Sequence, residues 1–428
     1  MKIQSVYVNG FKNLSNISLN LDKMTALVSL NNFGKSNVLT AIDFAISFIN
    51  ANQATRIDMM NNTKLMPMNK HTLGNDYIFR IESTTKIEGN TYRVEYGFSF
   101  SWGNEKEGPM IQSESLRVKL EKDQKFVKYI ERNTNKAVFK SSEKGRCSTK
   151  VNIDNTELVI NKLQAYDSLF YSEIIKKINT LKFYMEDNLD AKGFYRIDPI
   201  ITKGFDNLSV NSENLPRIIF QLQSKEPKKF ELLKNVYAQL FPQVDDIIVH
   251  RFNFDHKGFG IRDLPDSAPF SFADSVYVLY VKMNYLVAPV DFSTMSDGAK
   301  RVFMILTKVI LSKISNVSLV AIEEPENSVH PSLFRSYISI ISQLLDDCRI
   351  IITSHSPYII SYFEPSWIRV GVERKNGIAE FFEFKSSGAR KLQKDATELG
   401  TSIGDYLFTL LADTDSNLDE YLECAKNE

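Results

Sequence analysis

The sequence predicts an α/β fold, and three patterns support that class. Residues 3–9 and 25–30 are rich in Val, Ile, Tyr and Leu, as strands are, and an apolar-periodic stretch over 35–50 predicts a helix after them. The segments 318–322 and 349–354 are continuous apolar runs, which are typical of parallel strands buried on both faces. We therefore expect a mixed sheet with helices packed against it.

The remaining segments predict a second sheet and an insertion. Short alternating segments over 77–153 predict antiparallel strands, whereas 51–76 lacks a period and predicts a loop. Apolar residues at helical spacing, interrupted by prolines, predict helices up to about residue 240, and more helical segments between a strand at 247–252 and Phe292. The expected domains are an N-terminal lobe (1–154), a helical insertion (155–246), a C-terminal lobe (247–385) and a helical tail (386–428).

Composition excludes several classes of protein. The 428 residues are 43% hydrophobic and 24% charged, and 52 basic residues balance 52 acidic ones, so no overall charge attracts the protein to DNA or lipid. Cys147, Cys348 and Cys424 form no CxxC pair, which argues against a disulfide framework or a zinc site. The sequence contains neither a signal peptide nor an apolar run of about 20 residues, so a cytoplasmic protein without a membrane helix is expected.

The strongest motif is SLNNFGKS at residues 29–36. It matches the phosphate-binding pattern GxxxxGK[ST] at every fixed position except the first, where Ser29 replaces glycine. Such a loop needs backbone N–H groups around a phosphate, a lysine on the terminal phosphates and a hydroxyl on Mg²⁺. Lys35 and Ser36 supply the last two, although a chance GKS at the start of a helix is the alternative.

Three weaker motifs follow in the chain. The strand at 318–322 leads into Glu323 and Glu324, which suit metal binding and activation of water, but paired acids are also common on surfaces. Ser296 and Gly298 open an apolar helix and could address a phosphate or simply cap the helix. His355 ends the strand at 349–354, where a lone histidine is usually structural. Chance rarely produces all four motifs in this order.

This order resembles the ABC-type ATPase head, a P-loop NTPase fold, and specifically its SMC/RecF/OLD branch. MSDGAKR (295–301) is similar to the signature LSxGxxR, AIEEPENSVHPSLF (321–334) to the Walker B and D-loop, and IIITSHSPYII (350–360) to the switch-histidine strand. The resemblance is closest to the OLD-like and abortive-infection-type ATPases of bacterial anti-phage systems. It covers residues 1–50 and about 290–365, with the stretch between them as an expected insertion.

The resemblance implies a composite ATP and Mg²⁺ site between two heads that pair face to face, in a dimer or a higher homo-oligomer. Glu323 would support the metal together with Ser36, Glu324 would be the general base and His355 would sense the γ-phosphate. Gln112, expected on a turn, is a candidate for the glutamine that couples the lobes. The expected nucleotide contacts are Lys12, Asn31, Asn32, Gly34, Lys35, Ser36 and Asn37 of one subunit, with Ser296 and Gly298 of the other.

Two departures from the family pattern predict slow turnover. Ser29 would strain the loop by about 1 kcal/mol if its φ were positive. Glu323 replaces the commoner aspartate and moves the carboxylate outward by one methylene. A slow, switch-like ATPase is therefore expected rather than a motor.

The leading functional hypothesis is an ATP-gated sensor and scaffold of an anti-phage defence system. It would control a separate effector nuclease or toxin encoded nearby, in response to a phage protein or DNA. The second hypothesis is a DNA repair or recombination ATPase that binds DNA, and the third is a degenerate head that binds ATP without turnover. Residues 117–150, with eleven Lys or Arg against four Asp or Glu, predict either a surface for phosphates or an acidic partner, or a solvated hairpin.

Overall fold

The computed structural model describes residues 1–31, 34–61, 66–103, 108–187, 195, 200–202, 208, 214–253, 268, 270–345, 348–373, 376–413 and 417–423. The chain divides into two compact units. The first consists of Met1–Met185 and Asp347–Glu428, and the second of Glu186–Asp346.

Both units contain strands and helices. The strands are β1 (Lys2–Asn9), β2 (Ile17–Asn20), β3 (Met24–Val28), β4 (Tyr77–Ile87), β5 (Asn90–Ser101), β6 (Met110–Leu120), β7 (Val127–Asn133), β8 (Lys136–Lys140), β9 (Cys147–Lys150), β10 (Phe183–Glu186), β11 (Ile200–Thr202), β12 (Val244–Asn253), β13 (Phe270–Phe272), β14 (Ser275–Met283), β15 (Val290–Asp291), β16 (Leu319–Glu323), β17 (Arg349–Ser354), β18 (Ile368–Glu373) and β19 (Ala379–Phe382). The α-helices are α1 (Lys35–Asn50), α2 (Gln53–Asn61), α3 (Val159–Leu163), α4 (Ser172–Asn179), α5 (Leu215–Lys225), α6 (Pro227–Leu240), α7 (Asp297–Ile314), α8 (Pro331–Leu344), α9 (Pro357–Ile360), α10 (Gly388–Glu398) and α11 (Ile403–Ala412).

The first unit contains an antiparallel sheet of eight strands in the order β2-β1-β4-β5-β6-β7-β8-β9. Strands β17, β3, β18 and β19 lie side by side in a second sheet. There β3 pairs in parallel with both β17 and β18, as their apolar runs require, and β18 pairs with β19 in an antiparallel hairpin. In the register of β3 and β17, Val28 lies opposite Ser354, so the two strands end at the same edge.

Helix α1 is anchored on the eight-stranded sheet by aromatic side chains. The ring of Phe48 lies 5.0 Å from those of Phe98 and Phe100, and the Tyr77 hydroxyl donates a 2.8 Å hydrogen bond to the Ala41 carbonyl. These side chains are fully or almost fully buried, and burial of each aromatic ring contributes about 1.5–3 kcal/mol. The packing fixes the position of the helix and with it the loop that precedes Lys35.

The second unit is built around α7, in which every residue from Ala299 to Ser312 is buried. Helix α6 packs against it: the Tyr237 ring lies 5.0 Å from that of Phe303, and the Tyr237 hydroxyl donates to the Ala299 carbonyl at 3.2 Å. Strands β12, β14 and β15 form an antiparallel sheet in the same unit.

The mixed α/β fold predicted from the sequence is confirmed, as are α1, the antiparallel strands between residues 77 and 153, and the parallel pairing of β17. Three local predictions are wrong. The predicted loop at 51–76 contains α2, and residues 183–186, expected to be helical, form β10. The segment before Phe292 was expected to be helical but contains β14, because Val and Tyr recur at a spacing of two there.

The predicted domain boundaries stay a prediction. Among the helices of the described residues, none is both long enough and apolar enough to cross a lipid bilayer.

Candidate functional site

The loop between β3 and α1 depends on a glycine at its end. Gly34 precedes the helix with φ of 83°, a left-handed conformation that glycine adopts without steric cost. A Cβ atom on Gly34 would lie 2.6 Å from the Cβ of Ala379. The second fixed glycine of the motif is therefore required both by its backbone angle and by the close approach of β19.

Lys35 is the first residue of α1 and is only 4% exposed. Its ammonium donates hydrogen bonds of 3.0 Å to the carbonyls of Ser29 and Leu30. It also lies 2.8 Å from the Ser29 hydroxyl and 3.0 Å from Nδ1 of His355. Since an ammonium can only donate, Nδ1 accepts, and the ring of His355 carries its proton on Nε2.

Two predicted site residues that are distant in sequence thus meet in the first unit. Lys35 follows β3 and His355 follows β17, and these neighbouring parallel strands end at the same edge of their sheet. The crevice outside the carboxyl ends of parallel strands is where open α/β sheets bind ligands.

Ser29 is fully buried, and its φ is not positive, so the strain predicted for it is absent. Its side chain occupies space that β18 leaves open. A Cβ on Gly371 would lie 2.8 Å from the Cβ of Ser29, closer than side chains approach one another.

Asparagine side chains flank the loop. Asn37 donates from Nδ2 to Oδ1 of Asn13 at 2.8 Å, and Asn13 donates to the carbonyl of Gly377 at 3.3 Å. Asn37 is one of the predicted nucleotide contacts, whereas Asn13 was not predicted. The signal for Asn13 was its place next to Lys12 in the turn after β1.

Lys12 lies in that turn with a φ of 50°, which is uncommon for a residue other than glycine. Its carbonyl accepts hydrogen bonds from the backbone N–H of Asn69, at 3.1 Å, and from the Thr72 hydroxyl. Burial lowers the pKa of the Lys12 ammonium below its ordinary value. The turn is therefore fixed by its backbone.

The remaining predicted residues of the first unit are Asn31, Asn32, Ser36 and Gln112. Ser36 is exposed in the first turn of α1, and Asn31 is exposed in the loop. Asn32 lies outside the described residues. Gln112 lies within β6 rather than on a turn, and its Nε2 donates to the Ser101 hydroxyl at 3.1 Å, so the predicted position was wrong.

In the second unit, β16 ends at Glu323, and Glu324 follows with a φ of 45°. Residues held in this sparsely populated region cluster at functional sites, at a cost of about 1–3 kcal/mol. Oε1 of Glu323 is buried and has no hydrogen-bond partner within the described part of the chain. A buried carboxylate oxygen without a donor is unusual.

Arg301 fixes the backbone at these two acids, a role that was not predicted from the sequence. Only 1% exposed, it donates from Nη2 to the carbonyl of Glu323 at 2.8 Å and to that of Glu324 at 3.2 Å. The signal was its place as the last residue of MSDGAKR.

The turn before α7 packs closely against the loop after β16. The Ser296 hydroxyl caps the helix by accepting from the N–H of Ala299 at 3.3 Å. A Cβ on Gly298 would lie 2.1 Å from the carbonyl oxygen of Ser328, so only glycine fits. Ser328 itself has a φ of 63°.

The ligands that Mg²⁺ prefers can be compared with the residues of each unit. Over the described residues, no group of three or more His, Cys, Asp or Glu side chains is placed to hold a metal ion. Mg²⁺ typically takes one or two carboxylates and completes its octahedron with waters and substrate phosphates. Within the second unit, Oε1 of Glu323 has no hydrogen-bond donor among the described residues, and a carboxylate oxygen is a ligand of the kind that Mg²⁺ takes. Within the first unit, the exposed hydroxyl of Ser36 is likewise an oxygen ligand.

Comparisons with known proteins place the chain in a broad ATPase group. Residues 24–361 match the family model described as "AAA domain, putative AbiEii toxin, Type IV TA system". Among proteins with curated descriptions, none matches the sequence.

Several solved structures are similar in shape. The Smc head bound to the C-winged helix domain of ScpA has a TM-score of 0.49 at 12% identity, over 91% of this chain and 100% of that one. The SMC head domain from Thermotoga maritima has a TM-score of 0.43 at 11% identity, over 90% and 100%. The Smc head domain with an extended coiled coil bound to the C-terminal domain of ScpA, derived from Pyrococcus furiosus, has a TM-score of 0.44 at 13% identity, over 92% and 99%.

Proposed function

The chain belongs to the AAA-domain family whose description includes the AbiEii toxin, and from this premise we propose that it is a slow, nucleotide-gated ATPase. The observation that carries the proposal is the 3.0 Å contact between Nζ of Lys35 and Nδ1 of His355. It joins the lysine of the phosphate-binding loop to the histidine after the neighbouring strand, which is the pair that an ATPase of this type needs at the terminal phosphate.

In the proposed mechanism, the N-terminus of α1 and the Lys35 ammonium bind the β- and γ-phosphates of ATP. We propose Asn31, Asn32, Asn37 and Lys12 as further contacts of the nucleotide. Mg²⁺, when bound, neutralises phosphate charge during the reaction. Ser36 and Glu323 are the residues that we propose would hold it, each with an oxygen ligand of the kind that Mg²⁺ takes.

Glu324 is proposed as the general base that takes a proton from the attacking water, and His355 as the residue that senses the γ-phosphate. Ser296 and Gly298 would address that phosphate from a second copy of the chain, so that ATP joins two heads. In such an arrangement the bound nucleotide acts as the contact between subunits, and hydrolysis separates them.

We further propose that this cycle serves as the sensor and scaffold of an anti-phage defence system. The family description, which includes a putative AbiEii toxin of a type IV toxin–antitoxin system, supports the link to defence, whereas the control of a separate effector is our proposal. The sequence carries no second catalytic motif, so the toxic step is assigned to a separate nuclease or toxin encoded nearby, and the trigger to a phage protein or DNA.

A second candidate, a DNA-binding ATPase of repair or recombination, is favoured by one surface. On β6–β9 and their turns, several basic side chains are exposed and make no ion pair with any described residue. These are Lys122, Lys125, Lys136, Lys144, Arg146 and Lys150. The eleven basic residues of 117–150 also include Arg132 and Lys140, which are buried and unavailable to a ligand. Strong stimulation of ATP hydrolysis by linear duplex DNA would favour this candidate over the defence switch.

The experiment that tests the proposal uses Glu324→Gln. This variant should bind ATP without hydrolysing it and accumulate as an ATP-joined assembly of higher mass on a sizing column with light scattering. The exposed Glu364→Gln, a matched change in the first unit, should behave as wild type. If ATP leaves the mass of Glu324→Gln unchanged, subunits are not joined through nucleotide and the proposed composite site is wrong.

A further inference from the structure

Ser29 occupies the position at which the phosphate-binding pattern has glycine, and its hydroxyl lies 2.8 Å from Nζ of Lys35. Both side chains are buried, with Ser29 fully covered and Lys35 4% exposed. The contact is therefore shielded from water, and a hydrogen bond to an ammonium in such a place is stronger than one on the surface.

The space for this hydroxyl is provided by β18. Gly371 faces Ser29, and a Cβ in its place would lie 2.8 Å from the Cβ of Ser29 and 3.3 Å from its Oγ. The serine side chain thus fills a gap that exists because the facing residue is glycine. The pair is a built feature of the loop, not a tolerated irregularity.

The proton arrangement determines what the hydroxyl does. Ser29 Oγ donates to the Leu30 carbonyl at 3.0 Å, so its lone pairs are left to accept from Lys35. Lys35 has three N–H groups. Four acceptor atoms on Ser29, Leu30 and His355 lie within 3.0 Å of its nitrogen. Phosphate oxygens of a nucleotide would have to compete with these acceptors for the same protons.

We propose that Ser29 is a positioning residue that acts through Lys35 and lowers the affinity of the loop for ATP. Its hydroxyl holds the ammonium at the base of the loop, so binding of the phosphates requires an N–H group to leave it. This inference rests on the proposed function, because it assigns the ligand of Lys35 to ATP. It makes the nucleotide easy to release, as a switch requires.

The test is a titration of the purified full chain with ATP, followed by calorimetry. Ser29→Ala removes the hydroxyl and keeps the Cβ against Gly371, and it should lower the Kd for ATP about 3- to 10-fold, since the competing hydrogen bond is lost. Ser29→Gly restores the residue of the pattern and should shift the Kd in the same direction. Ser83→Ala, the same change at a buried serine of the eight-stranded sheet, should leave the Kd unchanged.

Tighter binding is a result that mere damage to the loop does not produce. Suppose that wild type binds ATP and Lys35→Ala does not. Kd values of both Ser29 variants that equal or exceed that of wild type would then overturn the inference about Ser29 but not the proposed function. If wild type and Lys35→Ala bind ATP equally, or neither binds it, the proposed function is wrong and the inference with it.

Discussion

Lys35, at the start of α1 in the first unit, and Glu323, at the end of β16 in the second, are both charged side chains, but their surroundings differ. The ammonium of Lys35 is surrounded by acceptors from its own loop and from His355. Oε1 of Glu323 is buried without a hydrogen-bond donor among the described residues. A buried polar atom normally has a partner, so the unpaired Oε1 of Glu323 is consistent with the metal-binding role proposed for this residue.

The backbone around Glu323 is nevertheless held firmly. Arg301 donates to the carbonyls of Glu323 and Glu324, and Gly298 packs against the carbonyl of Ser328. Around Lys35 the contacts are made to the ammonium itself. Around Glu323 they are made to the main chain, and the carboxylate stays available to a ligand. This difference is consistent with the roles proposed for the two residues, phosphate binding for Lys35 and metal binding for Glu323.

Among the variants that test this difference, Arg301→Ala is expected to have the largest effect, on the free energy of unfolding. It removes a buried side chain and leaves two part-buried carbonyls without their donor, so it should lower the free energy of unfolding by about 2–4 kcal/mol. Chemical denaturation measures it, with the exposed Arg335→Ala of α8 as the matched control that should stay within about 0.5 kcal/mol of wild type. A loss below 0.5 kcal/mol in Arg301→Ala would show that the strand end does not depend on this side chain.

A smaller effect, on the metal rather than on folding, is expected for Glu323→Gln. The Mg²⁺ concentration for half-maximal ATP hydrolysis should rise about 10- to 100-fold, as it does when groups that support a bound metal are changed. Stability without nucleotide should not fall, because the carboxylate oxygen makes no hydrogen bond that could be lost. An unfolding midpoint well below that of wild type, with unchanged Mg²⁺ dependence, would mean that Glu323 is a structural acid.

Local motifs predict much of the structure around Lys35. The strand, loop and helix around Lys35 follow from a short stretch of sequence, and β17 follows from a continuous apolar run. The contacts of Ser29 with Gly371 and of Asn13 with Gly377 could not be predicted, because they join residues that lie hundreds of positions apart in the chain.

The structure of the second unit was predicted less well, for a different reason. Short apolar segments fit a strand or a helix equally, so the sequence of β14 did not distinguish the two and a helix was predicted there. The positive φ of Glu324 has no signature in sequence, since it is imposed by the packing around it.

The measurement that tests the central claim most directly is steady-state ATP hydrolysis by the purified protein, with Lys35→Ala beside wild type and with linear duplex DNA present or absent. We expect slow, Mg²⁺-dependent release of phosphate by wild type that DNA does not alter, and none by Lys35→Ala. Equal rates in the two proteins would contradict it, because hydrolysis would then not depend on the loop lysine.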